Sequence, residues 1–318
     1  MYNCGVRYRG GPLGRRVNPH NYHIEFPRRK TLDDLRDMNL NWRRPLLQYV
    51  GFSVMKRGGH GVVAPEPKLV RLWMNETESS AVQAGRGFGG VYIRVEEIRN
   101  GFLEKRFSTP LGNLYKGKDF GGLDWRPSLE DYQVDSNPPI YPDHRPDYTA
   151  WTNNPVTVWR DLDDLCWTLA QPNHQFPMIL QNRMNVRQWA RYYGIQVALE
   201  NAEGGIYCSS SCSGDDYYIY GDPANHQFTI IPWDMDNIID EGRGGWDAVD
   251  VERSIWNWEG PWGPYAQNAT PIVTNFLFHD PIAPLFVGDV VDVHKTILTP
   301  DSMNEIFDEM GSAITPFY

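Results

Sequence analysis

The residues best placed by type and spacing to do chemistry are Asp234 and Asp236, which close the stretch FTIIPWDMDN over Phe228–Asn237. Its first four residues are mostly apolar and predict a buried strand. Pro232 stiffens the exit and Trp233 shields one side. A carboxylate delivered there is desolvated unless it meets a cation. Mg²⁺ or Mn²⁺ with phosphate is a natural partner, because a hard cation takes oxygen ligands and bridges phosphoryl groups. If the strand continues, alternation puts Asp234 and Asp236 on one side, as a candidate metal pair. Further acids follow at Asp240, Glu241, Asp247, Asp250 and Glu252, with Arg243 against them. The plain alternative is a strand-end turn in an acidic loop.

A second source of carboxylates is ENAEGGIYCSSSCSGDD over 200–216, with Glu200, Glu203, Asp215 and Asp216. The strand YYIY at 217–220 and the returning FTII predict a hairpin that carries this segment toward Asp234. One member there, Glu203 or Asp216, is placed to orient or deprotonate an acceptor hydroxyl. Two carboxylates alone equally suit a glycosidase, because spacing in sequence does not measure their separation. The candidate cations are Arg7 and Arg9, on one face of GVRYR before a glycine pair, and Lys116 in LYK. The arginines suit a phosphate or a carboxylate substrate, or equally a solvated strand edge. Glu96, on the Tyr92–Arg94 side of VYIRVEE, is a candidate for fixing an ammonium such as Lys116. GRGFGG at 85–90 has dinucleotide-fingerprint spacing, but a strand follows where a helix is required. Between strands it suits either a hairpin turn or a loop covering a nucleotide.

These residues need elements to hold them. The chain has 318 residues, 41% of them hydrophobic, which suffices for one large domain or two lobes. Alternation predicts strands at 5–9, 22–26, 69–74 and 91–97, an antiparallel sheet with few long helices. Six prolines between 127 and 155 mark a surface connector. Beyond it, Val158, Leu162, Leu165 and Leu169 keep helical spacing, and a second helix is predicted over about 185–200, burying Val186, Trp189, Tyr193 and Val197. The last fifty residues read as helical, with Thr299 capping, Pro300 in the first turn, and Met303, Ile306 and Met310 along one side. The expected division is a sheet-rich lobe over 1–126, the connector over 127–155 and a helical lobe with the hairpin over 156–318. The net charge of −10 argues against a general duplex-DNA binder, and no run of 18 apolar residues offers a membrane span. No signal-peptide pattern opens the chain, and the early first strand leaves room for an upstream piece. Cys166 falls in an apolar helical pattern, while Cys208 and Cys212 suit a loop disulfide or free thiols.

Four pieces, in order, resemble the spore coat protein H family, the CotH kinase-like domains. They are GVRYRGG at 5–11, GGVYIRVEEIRNGFL at 89–103, GNLYKG at 112–117 and DYYIYGDPANHQFTIIPWDMDN at 216–237. The resemblance spans nearly the whole chain. It implies an α+β, divergent protein-kinase-like bilobal fold that holds ATP and Mg²⁺ or Mn²⁺, and phosphorylates Ser or Thr of coat, surface or secreted proteins. It implies that Asp234 is the metal-binding acid, that Asp236 stands at a less demanding position, and that Glu96 and Lys116 lie around the nucleotide. Many relatives carry a catalytic Asp-Gly pair before the hairpin, and here Glu203–Gly204 stands there, with Asp215 or Asp216 as alternatives. The rival is a surface binding module that kept the fold without the chemistry, and the family implies an extracellular, cell-surface or spore-coat setting.

Overall fold

The structure is a computed structural model. It describes residues 4–10, 19–27, 29–74, 77–78, 90–118, 123, 125, 147–150, 159–171, 176–201, 216–239 and 272–315.

One sheet contains β1 (Gly5–Arg9), β2 (Asn21–Glu25), β3 (Asp37–Asn41), β4 (Pro67–Arg71) and β7 (Val91–Glu96), in the order β1-β2-β3-β7-β4 and antiparallel throughout. The short strands β5 (Trp73–Met74) and β6 (Thr77–Glu78) form a separate pair, so the strand expected over 69–74 is broken at Leu72. Directly opposed residues share a face. The register aligns Arg7 with His23 and Asn39, and Arg9 with Asn21. On that same face Asn39 meets Val95, and Leu69 meets Ile93. The face is therefore polar across β1–β3 and apolar across β7–β4. Its apolar half packs in one core with helix α1 (Pro45–Lys56) through Val50, Phe52, Val54 and Met55. The opposite face carries a second, smaller core of Tyr22, Met38, Leu40 and Tyr92 with Trp42, Phe26 and Leu35.

Helix α1 has 12 residues, a long helix in the part of the chain where an antiparallel sheet with few long helices is expected. Its sequence PLLQYVGFSVMK is apolar nearly all round, and eight of its residues are buried. No polar stripe marks a helical period there, which is why alternation reading passes over it. Pro45 opens it at a position whose missing N–H costs nothing.

The second sheet is built from β8 (Asn113–Lys118), β9 (Asp147–Ala150), β10 (Tyr217–Asp222) and β11 (Gln227–Pro232), in the order β11-β10-β8-β9. The strand carrying Lys116 thus joins the hairpin's sheet, not the first one. β9 lies within the expected proline-rich connector; residues 127–146 and 151–155 of that segment are outside the described residues. Strand β10 is inner and covered on both faces, so Tyr217, Tyr218, Ile219 and Tyr220 are all buried.

Helix α2 (Asn100–Arg106) follows β7, and α3 (Arg160–Ala170) buries Leu162, Leu165 and Leu169 as expected, with Cys166 buried among them and in no disulfide. After α4 (Phe176–Gln181), helix α5 (Val186–Ala198) buries Trp189 and Tyr193 completely and Val186 and Val197 in part. Helix α5 also protects the edge of β11. The Gln188 amide donates to the Ile230 carbonyl at 2.7 Å and accepts from its N–H at 3.2 Å, and the Trp189 indole donates to the Phe228 carbonyl at 2.8 Å. An otherwise open strand edge is thereby satisfied by side chains. A π-helical turn (Ile272–Leu277) leads to α6 (Ala283–Thr296) and α7 (Pro300–Ile314). Thr299 caps α7 by accepting from the Ser302 N–H, and Ile306 is its buried anchor between the half-buried Met303 and Met310. Among the described residues no helix is long and apolar enough to cross a membrane.

Candidate functional site

The hairpin β10–β11 pairs Tyr217 with Pro232, so Asp216 and Trp233 face each other just beyond the last pair. The Trp233 N–H donates to the Asp216 carbonyl at 3.1 Å and extends the hairpin by one rung. Both flanking acids then leave the strand in left-handed conformations, with φ 62° at Asp216 and 45° at Asp234. Aspartate tolerates that region better than most residues, because its short carboxylate interacts with local backbone. The Asp236 N–H donates back to the Asp234 carbonyl at 2.8 Å, and Met235 is driven fully into the core.

The strand therefore ends at Pro232, and Asp234 and Asp236 do not share a strand face. The Asp236 carboxylate is buried and sits 3.1 Å from the Arg43 guanidinium. Arg44 holds the same turn from outside, donating to the Asp236 carbonyl at 2.9 Å and to Asn237 Oδ1 at 2.8 Å. Among the described residues the Asp234 carboxylate has no hydrogen bond or ion pair, and it is half-buried. No group of three or more His, Cys, Asp or Glu side chains among the described residues is arranged to hold a metal. Mg²⁺ commonly uses one or two carboxylates and completes its shell with water and phosphate. Asp234 fits that mode, and Asp236, engaged by Arg43, does not.

Two of the expected cations converge on the ring beside Asp234. The Arg9 guanidinium lies 5.2 Å from the Trp233 ring centroid and the Lys116 ammonium 5.6 Å from it. Lys116 stands opposite Tyr218 in the β8–β10 register, with its ammonium 5.6 Å from that ring too. Tyr218 in turn meets Trp233 edge-on at 5.3 Å. Burial pushes the Tyr218 phenol well above its ordinary pKa. The charges of Glu97 and Asp216 add to this, and those of Arg9 and Arg99 oppose it. This cluster joins the first sheet's polar half-face to the open end of the hairpin. Arg7, two residues along that face, is exposed.

Glu96 points to the other face of its sheet. Its carboxylate is buried and bound by Arg106 at 2.7 Å and Lys105 at 3.6 Å, both from α2. The glutamate on Arg9's face of the sheet, whose charge reaches Tyr218, is its neighbour Glu97, which sequence reasoning missed. Glu97 accepts from the Asn39 amide, lies 3.4 Å from Arg99 and 3.8 Å from the His23 ring. The signal was present: consecutive strand residues point to opposite faces, so one member of the Glu96–Glu97 doublet must face the arginines. Only the β3–β7 register says which. A cavity of about 440 Å³ opens beside this doublet, lined by Glu25, Asp37, Glu97, Arg99 and Glu104 among others, with Glu96 in its wall. Burial raises the Asp37 pKa foremost; His23 and Arg99 oppose that, and Glu25 and Glu97 reinforce it. The cavity wall includes neither Asp234 nor Lys116, so it adjoins the charged cluster and does not contain it.

Glu203, Asp215, residues 85–89 of the glycine-rich stretch, Cys208, Cys212 and the acids from Asp240 to Glu252 lie outside the described residues. The structure thus brings together Asp216, Asp234, Lys116 and Arg9, and sets Glu96 and Asp236 apart in ion pairs. A family model described as "CotH kinase protein" matches residues 6–318. No curated protein matches the chain at a significant level.

Proposed function

The chain belongs to the CotH kinase family, and from that premise we propose that it is an atypical kinase. It transfers the γ-phosphate of ATP to Ser or Thr hydroxyls of a coat, surface or secreted protein. One observation carries this reading beyond the family: the carboxylate of Asp234, without a described partner, sits at the same hairpin end as Arg9 and Lys116, which share the Trp233 ring. An acid to hold a divalent ion and two cations to meet phosphate oxygens are what phosphoryl transfer requires, since its catalysis is mostly positioning and charge stabilisation.

In this reading Asp234 holds Mg²⁺ or Mn²⁺, which when bound neutralises charge on the phosphate oxygens. Arg9 and Lys116 contact the phosphates. The nucleoside occupies the cavity beside Glu96 and Glu97, where Glu97 accepts hydrogen bonds from sugar hydroxyls and Glu96, held by Arg106 and Lys105, braces the wall, while the acidic lining turns the phosphates toward the cations. Asp216 or Glu203 accepts the proton of the acceptor hydroxyl as its oxygen bonds to the γ-phosphorus. The bond from that phosphorus to the β-bridging oxygen breaks, and ADP leaves with the electron pair.

The test is transfer of labelled γ-phosphate with Mg²⁺ or Mn²⁺. Labelling by the wild type is expected to fall at least about 10²-fold in Asp234→Asn. Asp216→Asn and Glu203→Ala separate the two candidate bases, the true one losing about 10²–10⁴-fold. A folded wild type that neither labels nor binds ATP overturns the reading. That result favours a partner-binding module, a second reading supported by the engagement of Asp236 by Arg43.

A further inference from the structure

We infer that Asn41 and Gln48 form an amide relay that selects Arg9 as the phosphate-facing cation and ties it to the Asp234 turn. The inference rests on the kinase reading above and deepens it with two positioning residues. Asn41 ends β3 and Gln48 lies in the first turn of α1, and both are buried, at 4% and 1% exposure. Arg9 Nη1 donates to Asn41 Oδ1 at 2.6 Å, Asn41 Nδ2 donates to Gln48 Oε1 at 3.1 Å, and Gln48 Nε2 donates to the Arg43 carbonyl at 2.9 Å. From there Arg43 reaches Asp236 Oδ2 at 3.1 Å, and the Asp236 N–H reaches the Asp234 carbonyl at 2.8 Å.

The ends of this chain fix its direction. A guanidinium has only donors and a backbone carbonyl only accepts. Each amide between them must therefore turn its oxygen toward Arg9 and its nitrogen toward Arg43. Neither can flip without setting two donors or two acceptors against each other in a buried site, where an unsatisfied polar group is costly. The relay thus has one low-energy arrangement, and that arrangement sets the angle of Arg9 over Trp233.

Charge gives the relay its second property. In protein kinases a lysine–glutamate ion pair between strand and helix fixes the phosphate-binding ammonium. Here the strand-to-helix contact is a neutral amide pair, and the cation it fixes comes from the neighbouring edge of the sheet. A neutral acceptor orients Arg9 without itself offsetting the charge that Arg9 offers to the ligand. Arg7 lies on the same face, but the relay does not reach it. A glutamate at 48 keeps the shape and breaks both properties: it has no donor for the Arg43 carbonyl, and its charge draws on Arg9.

The experiment is calorimetric binding of ATP and of adenosine with Mg²⁺, on wild type, Arg9→Ala, Arg7→Ala, Gln48→Met and Gln48→Glu, with Arg9→Ala/Gln48→Met to close a double-mutant cycle. Arg9→Ala is expected to weaken ATP about 10-fold, Arg7→Ala about 2-fold, and Gln48→Met about 5-fold, with adenosine unchanged in all three. The double variant should bind no more weakly than Arg9→Ala alone, because Gln48 acts through Arg9. Gln48→Glu should weaken ATP at least as much as Gln48→Met. Additive losses, or an equal loss of adenosine binding, would mean a merely structural role and overturn the inference. Should Gln48→Met not fold, Asn41→Ala carries the same expectations. Wild-type binding that no variant changes overturns the relay alone. A folded wild type that does not bind ATP overturns the kinase reading and the relay with it.

Discussion

At the scale of single residues, acids in this protein divide by what they face. Asp234 is presented, Asp236 is bound to Arg43, and Asp161 is absorbed into the frame. Asp161 stands at the start of α3 and accepts from the Tyr115 hydroxyl at 2.5 Å and from the Asn113 amide at 2.8 Å, clamping that helix to β8. Burial raises its pKa foremost, and the bonds from Tyr115 and Asn113 only partly offset this. A carboxyl whose folded pKa is raised stabilises most when protonated. Its contribution is complete below the ordinary carboxylate value of about 4 and is lost as pH rises through the folded value. The difference in melting temperature between wild type and Asp161→Asn should therefore be most favourable to wild type near pH 4 and shift toward the variant as pH rises, in melts taken at half-unit steps. A constant difference across that range would show that Asp161 titrates normally.

Elements set where the acids point. Helix α1 passes so close to the Asp234 turn that a Cβ on Gly51 would lie 2.7 Å from Met235 Cβ and 3.3 Å from Ile238 Cδ1. Glycine is required there for approach, since the helix itself would favour alanine by about 1 kcal/mol. Overpacking costs about 1–3 kcal/mol, so the two effects nearly offset in stability. They do not offset in geometry, because Met235 separates Asp234 from Asp236 and must move. Gly51→Ala is expected to melt within a few degrees of wild type yet lose about 10²-fold in phosphate transfer, the scale of an ångström's misplacement. Unchanged transfer with a lowered melting temperature would show that the turn relaxes without moving Asp234. A second close approach, of Gly194 on α5 to Asp289 Cβ at 2.8 Å, seats α6, where Arg191 and Arg187 pair with the buried Asp289.

Over the whole molecule, one continuous core runs from Val91, Ile93 and Val95 of the first sheet through α1 to Tyr218, Ile230 and Trp233 of the second, and on to Phe286 and Ile306. The two sheets share this larger core, while the smaller core on the first sheet's opposite face belongs to that sheet alone. Unfolding in urea should accordingly give coincident transitions by tryptophan fluorescence, which reports 12 tryptophans including Trp42 beside the first sheet and Trp189 and Trp233 beside the second, and by far-ultraviolet dichroism, which reports the secondary structure. Two separated transitions would mean that the sheets are independent folding units. The site lies on the seam of this shared core, with Arg9 and Glu97 from one sheet, Lys116, Asp216 and Trp233 from or beside the other, and the Arg44 clamp from the segment between β3 and α1.

Much of this was legible in the chain alone, wherever the governing interactions span a few residues. Alternation in GVRYR and VYIRVEE, the hairpin from YYIY to FTII, the apolar spacing of α3 and the Thr299 cap all depend on neighbours within one or two turns. So does the proline-stiffened exit that presents Asp234. What only the tertiary structure decided depends on partners far apart in sequence: the strand of Lys116 beside Tyr218, Glu97 rather than Glu96 on Arg9's face of the sheet, Arg43 claiming Asp236, and Asn41 and Gln48 aligning one arginine of two. Those outcomes follow from strand register and helix approach. A one-residue slip in either turns every side chain to the opposite face while leaving the local pattern unchanged.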